Sequence, residues 1–520
     1  MFQSIPVEAL TPLFQDALLF TAELGYNYIW IDSLCIIQDS PLSRDWLIHS
    51  AKMDRIYGNS TCNLAATGFA DGAQGLFSDE RRRSEDISYP RFRFTKLFRY
   101  LDLLDIPAGG GGPGQDDCVI MSMDTWYRDI VDAPLHQRAW VIQEQVLAPR
   151  VLHFTEAGQL YWECRSQLHS EAVPGLLPVG IFWNNIKYLV RMTAYGTREC
   201  EYRKMHRDWL FLVRTYSKGR LTCPADKLPA LSGLAKVFRR HLQQDEYLAG
   251  LWKGTLQLDL LWYLEGDHLT ASQPTASRAP SWSWASIDGP INHFKWAEKY
   301  NASIQLLAGV LEAVTHPVDH LDDDTGQVSG GYLRLSGALY QAFINHNIAR
   351  PNDYPSRITL DNGKIVGEDS LFGLRLVPRA NRGGGYQILL DGYKYPDKIN
   401  LIYLYHSTPV SGWGNHVFLM PLLKVQDFGP DPLILGIVLQ PTGEDQPCGT
   451  FQKLGIFHMR ESIGPWFIEA ALAPLDQQFY QCRDANGGLL YVSCRRDERH
   501  SFHSSQKKKK FFASVSVSCL

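Results

Sequence analysis

The residues best placed to do chemistry in this 520-residue chain follow a short apolar run: Asp32, Cys35 and Asp39. A carboxylate at the carboxyl end of a buried strand stands where α/β folds gather their ligands. It can serve there as acid, base or fixed negative charge, or it can cap a turn by accepting N–H groups from Leu34 or Cys35. Cys35 lies between Leu34 and Ile36, a setting that suits a small buried hydrophobe. A nucleophilic thiolate needs a base partner, and no histidine lies close to it in sequence. The second candidate set is Arg138, Trp140, Gln143 and Glu144, on a short helix expected over 135–146. Helical spacing puts Trp140 and Glu144 on one face and Val141 beside Glu144. This set either locks the helix to a sheet by hydrogen bonds and ion pairs, or brings a second carboxylate to Asp32 if the helix end converges there. His136 and His153 are spaced to meet, but two histidines do not make a metal site, and no metal is expected.

These residues need a scaffold to position them. Tyr28-Ile29-Trp30-Ile31 is β-branched and aromatic, as befits a strand buried on both faces. After Ser40-Pro41-Leu42-Ser43, a helix is expected from Asp45 to Tyr57, closed by Gly58 and Asn59. Its Trp46, Ser50, Met53 and Tyr57 fall in one stripe that faces the core. A second strand follows at 62–66. Strand, helix, strand in this order predicts a right-handed crossover between parallel strands. Upstream, Thr11-Pro12 starts a helix whose Leu13, Ala17, Phe20 and Leu24 share a face, with Gly25 ending it. Downstream, 151–154 and 159–164 read as a hairpin-like strand pair.

WIDSLCIIQD, followed by DW, M and IYGNS and then LAA, resembles the core of the fungal heterokaryon incompatibility (HET) domain. The RAW-x-x-QE block at Arg138, Trp140, Gln143 and Glu144 resembles the closing signature of that family. The resemblance marks Trp30, Asp32, Cys35, Gln38, Asp39, Trp46, His49, Met53 and Tyr57 as family-motif positions. Residues 221–252 and 279–289 resemble the region that commonly follows the domain. HET domains are distantly similar to Toll/interleukin-1 receptor (TIR) domains, some of which cleave NAD with a glutamate on an equivalent helix. The family usually has glutamate where this chain has His49. A carboxylate can stabilise the oxocarbenium-like charge left by a departing nicotinamide, whereas an imidazole offers no fixed negative charge. The family's earlier tyrosine-rich S-Y-x-W-G segment has no counterpart here, so the domain is expected to be incomplete at its amino end.

The resemblance implies a signalling and interaction protein of fungal self/non-self recognition that triggers growth arrest or cell death. It would act through other proteins, including association of HET domains, and would need no cofactor. Two alternatives remain: a TIR-like NAD glycohydrolase using Asp32 and Glu144, with NAD as substrate, and an inactive truncated family member.

Composition bounds these readings. A net charge of −4 gives no general electrostatic reason to bind nucleic acid. Ten cysteines without any C-x-x-C suggest reduced thiols in a cytoplasmic protein. No signal peptide is evident, and apolar runs stop short of a membrane span. The sequons at Asn59 and Asn301 are then chance matches. The 14 Trp and 24 Tyr, lacking a basic groove, are expected in cores. Ala108 to Gly114 is a flexible linker and no phosphate loop, since no Gly-Lys-Ser/Thr follows. The expected architecture is an α/β domain with a parallel, TIR-like sheet over 1–170, a helical connector over 171–275 and a β-rich domain over 276–480. In that last domain, Arg278 to Ser286 read as an alternating strand. A low-complexity tail fills 481–520, its Lys507–Lys510 run read as solvated.

Overall fold

An amphipathic helix opens the fold where the sequence places it. In the computed structural model α1 spans Pro12–Glu23, with Thr11 as its N-cap and proline in the first turn. Gly25 has φ +79°, a left-handed conformation that lets the chain leave the helix. Ala17 is buried, and Leu13 and Phe20 pack beside it against Phe69, Leu76 and Phe154. The structure describes residues 4–37, 44–77, 91–94, 116–119, 125–165, 167–172, 187, 198–242, 245–264, 278–293, 303–318, 323–338, 340–346, 356–360, 365–366, 373–378, 386–391, 400–404, 416–426, 432–441, 450–460, 479–483, 489–493 and 512–519. Gln38, Asp39, the glycine-rich linker, Asn301 and the Lys507–Lys510 run lie outside them.

The described residues fall into two units, Met1–Leu212 with Lys218–Leu242, and Val213–Ser217 with Gln243–Leu520. In the first, α2 (Asp32–Cys35), α3 (Arg44–Ser50) and α4 (Met53–Gly58) lead into β1 (Asn63–Ala65). The single expected helix over 45–57 is thus two, bent at Lys52, whose backbone leaves helical geometry. Separately, β2 (Arg91–Phe94) and β3 (Asp116–Val119) pair antiparallel. After the short helix α5 (Val141–Leu147), the strands β4 (Arg150–Phe154), β5 (Leu160–Cys164) and β6 (Leu168–Ser170) complete a sheet ordered β1-β4-β5-β6.

β1 and β4 run parallel, Asn63 opposite Val151 and Ala65 opposite His153, while β4-β5 and β5-β6 are antiparallel. The sheet is therefore mixed, and the helix-bearing connection joins β1 to β4. The expected strand over 28–31 does not form. Residues 28–31 have no regular structure, no described strand lies alongside to pair with them, and Tyr28 is 92% exposed. An apolar, β-branched run needs a hydrogen-bonding neighbour to become a strand, and composition cannot supply one. Two longer helices, α6 (Arg198–Tyr216) and α7 (Pro229–His241), follow, and α7 packs on α4 and α5.

The second unit is β-rich, as its alternating runs predict. Ten of its strands form one antiparallel sheet, and Gly309–Pro317, Val328–Ala338 and Phe512–Cys519 form another. That last strand lies in the low-complexity tail: its Val-Ser alternation is low in complexity yet has the strand period of two. The expected strand at 278–286 is instead a run of turns. Ser283 accepts a hydrogen bond from the amide of Ala285, which closes a short 3-10 helix at Trp284–Ser286. Trp282 and Trp284 are both buried there. Gly250, at φ +100°, admits the Trp284 indole, whose Nε1 donates to the Gly250 carbonyl at 3.0 Å. Lys453 Nζ sits 3.4 Å above the Trp262 ring. Among the described residues, no helix is long and apolar enough to cross a membrane.

Candidate functional site

A cleft of about 970 Å³ opens in the first unit. Residues 28–32 form one wall and residues 61–66, including β1, another; α1 and α5 close it. The structure brings Trp30, Asp32, Tyr57, Arg138 and Glu144 to this cleft from four separate stretches of chain. Cys35, Trp46, His49, Met53, Trp140 and Gln143 do not border it.

Asp32 is the first residue of α2 and is exposed at the cleft. It does not cap the turn in the expected way. Its Oδ1 accepts from the Ser33 amide at 2.7 Å, while the Leu34 and Cys35 amides bond to the Ile31 carbonyl. Glu144 is half-buried and hydrogen-bonded by the Tyr57 hydroxyl. Burial, then the negative charge of Asp32, raises its carboxyl to about 7, against the opposing pull of the Arg138 guanidinium and the Tyr57 bond. Tyr57 is pushed well above the ordinary phenol range by burial and then by Glu144 and Asp32, so it stays a protonated donor. The Tyr57 ring meets the edge of Trp30, with centroids 5.8 Å apart. Near neutral pH Glu144 can therefore exchange a proton beside the Asp32 side chain, equipment suited to acid–base or charge-stabilising work.

The remaining motif residues have structural surroundings. Cys35 is exposed, contrary to the buried role its neighbours suggest, because α2 is too short to cover it. His49 Nδ1 lies 2.8 Å from the Asp45 carbonyl and 3.6 Å from its carboxylate, on α3. Trp140 is the N-cap of α5 and does not border the cleft that Glu144 lines. Its Nε1 donates to Asp226 at 3.3 Å, and its ring meets Trp46 edge-on at 6.0 Å. Met53 and Gln143 are buried. A Cβ on Gly233 of α7 would stand 2.7 Å from Gln143 Oε1. At this contact the absence of a side chain lets two helices approach.

Beneath the cleft lies a buried polar chain that sequence reading missed. His153 on β4 approaches Glu163 on β5 through Nε2 at 3.1 Å and Thr67 through Nδ1 at 2.9 Å. Gln145 donates to the same Glu163 oxygen at 2.9 Å. Burial opposes ionisation of Glu163, but Lys187 and then His153 and Gln145 outweigh it, holding the carboxyl at about 2. His136 and His153 do meet, with rings 5.7 Å apart; burial and then the charge of His153 depress His136 to about 3. The available signal was a titratable residue in each of two apolar strands, which points to a meeting between them.

No curated protein and no solved structure matches this chain. Residues 2–144, which contain both carboxylates and most of the cleft wall, match the family model described as Heterokaryon incompatibility protein (HET), so this segment is similar to a HET domain.

Proposed function

We propose that this chain is a signalling protein of fungal self/non-self recognition, one that triggers growth arrest or cell death on meeting an incompatible partner. The HET-family match supports a heterokaryon incompatibility type of function. The observation that carries the signalling reading is the exposed apolar surface at the amino end. Leu19, Leu24, Tyr26, Tyr28, Leu34 and Ile37 are all exposed, between 39% and 92%. Clustered exposed apolar side chains mark interaction surfaces. Other proteins, including second HET domains, are its natural partners in the cytoplasm. Expression in a fungal host tests this: the double variant Leu19→Ser, Tyr28→Ser should lose growth arrest while Asp32→Asn keeps it. Growth arrest undiminished in the double variant would refute an interaction mechanism.

The gathering of Asp32, Glu144 and Tyr57 favours a second reading, NAD glycohydrolysis. Asp32 would stabilise the positive charge on the ribose as its C–N bond to nicotinamide breaks, and ionised Glu144 would take a proton from the water whose oxygen bonds to the ribose carbon. Purified protein incubated with a fluorescent NAD analogue tests it. Turnover abolished by either Asp32→Asn or Glu144→Gln supports catalysis; no turnover by the native chain removes it.

A further inference from the structure

We infer that the cleft between residues 28–32 and β1 is a docking slot for an extended segment of a partner polypeptide, held by β-strand addition. Successive side chains of a strand point to opposite faces, so a cavity lying on one face touches every second residue. This cavity touches residues 28–32 without a gap and residues 61–66 without a gap. It therefore faces the hydrogen-bonding edges of both stretches.

Most backbone groups on those edges are open; the Thr61 and Ala65 carbonyls already accept from the Arg150 side chain and the Thr67 amide. Among the described residues β1 pairs only with β4, and its other side borders the cleft. Ile31 has extended backbone (φ −128°, ψ 119°), and residues 28–30 just before it take part in none of the backbone hydrogen bonds of the described residues. Two facing rows of backbone donors and acceptors complement the two edges of one inserted strand, which would satisfy both. At the Asp32 end, an exposed carboxylate favours a basic residue on the partner. A small molecule would leave most of these backbone groups unpaired. This inference names the kind of partner that the interaction reading requires and is independent of any chemistry at Glu144.

The test uses the full chain and a short peptide alternating threonine and valine behind an amino-terminal lysine, its length matching the slot. Amide hydrogen exchange is followed over residues 26–33 and 61–67. Saturating peptide should slow exchange in both segments by about tenfold or more. The same peptide N-methylated at alternate residues keeps its side chains but loses half its donors, and should give no protection. Replacing its lysine by glutamate should weaken binding. Equal protection by the N-methylated peptide would show a side-chain groove and overturn strand addition. So would protection of only one of the two segments. Protection that rises with protein concentration in the absence of peptide would assign the slot to a second copy instead. Because the readout is exchange, failure here leaves the growth-arrest result standing, and failure of that assay leaves this one standing.

Discussion

The Tyr57 hydroxyl, on α4, donates a hydrogen bond to the Glu144 carboxyl, on α5, at the wall of the cleft. The bond favours the ionised form of Glu144 and so works against burial and Asp32, which favour the protonated form. Tyr57→Phe should therefore move Glu144 further above about 7, by roughly one unit for the loss of a bond to a charged group. A carboxyl NMR titration of both proteins reads the shift directly. An unchanged midpoint would mean that the hydroxyl does not act on the ionised form.

The raised Glu144 also makes stability depend on pH. Its carboxyl titrates near 4.5 when unfolded and about 7 when folded, so the folded state binds the proton more tightly. Stability from this group is complete below the unfolded value and is lost as pH rises through about 7. Glu144→Gln keeps the neutral shape and removes the titration. Denaturant unfolding should find the variant about 2–3 kcal/mol more stable than the native chain at pH 8 and nearly equal at pH 4. A difference of the same size at both pH values would trace the effect to packing.

The buried chain beneath the cleft predicts the opposite acid behaviour. Glu163, at about 2, and His136, at about 3, both release protons more readily when folded than when unfolded. Their stabilising contribution is present at neutral pH. That of His136 fades as pH falls below 6.5 toward 3, and that of Glu163 as it falls below 4.5 toward 2. Glu163→Ala leaves His153 and Gln145 without their shared acceptor and should cost about 3–5 kcal/mol at pH 7. The variant's unfolding profile should also be flatter below pH 4.5 than the native one. A loss of under about 1 kcal/mol would show that the pair contributes little.

The elements the sequence predicts well are those whose signals are local. Thr11-Pro12 and Gly25 bound α1 because capping and left-handed backbone are properties of single positions. The hairpin of β4 and β5 follows from two apolar runs around a short turn. Pairing is non-local, which is why residues 28–31 read as a strand without becoming one. The parallel partner of β4 proves to be β1, so the family kinship rests on the motif blocks and not on the strand pair expected to carry it. Asp32 and Glu144 were both legible as candidates, but their approach depends on how α2 and α5 meet across the cleft. Tyr57 was read as part of a buried stripe and as a motif position, not as a partner of Glu144. Trp282 and Trp284 alternate as a strand would, yet Ser283 captures a turn amide, a competition that pattern alone does not weigh.

Close helix packing gives a sharper prediction at Gly233. An added Cβ there would lie 2.7 Å from Gln143 Oε1 and 3.1 Å from the Asp54 amide nitrogen. The side chain can shift a little, but the α4 backbone yields less. Gly233→Ala should cost about 1–3 kcal/mol despite alanine's better helix propensity. The paired change Gly233→Ala, Gln143→Ala relieves the nearer contact and should recover part of that loss. Thermal unfolding of the three proteins decides it; a stabilised single variant would mean that α7 can move away from α4 and α5.

The last prediction concerns His49, where the family usually places glutamate. On α3 its imidazole is engaged by Asp45 and does not border the cleft that holds Asp32 and Glu144. His49→Glu should consequently leave turnover of a fluorescent NAD analogue where it stands in the native chain, within about twofold, whether that level is zero or measurable. Its effect should be on the helix instead. A second carboxylate one turn from Asp45 replaces an attraction with a repulsion, at a cost of a few tenths of a kcal/mol. Activity gained on restoring the glutamate would mean that α3 swings to bring position 49 to the substrate, and would move the chemistry away from Glu144.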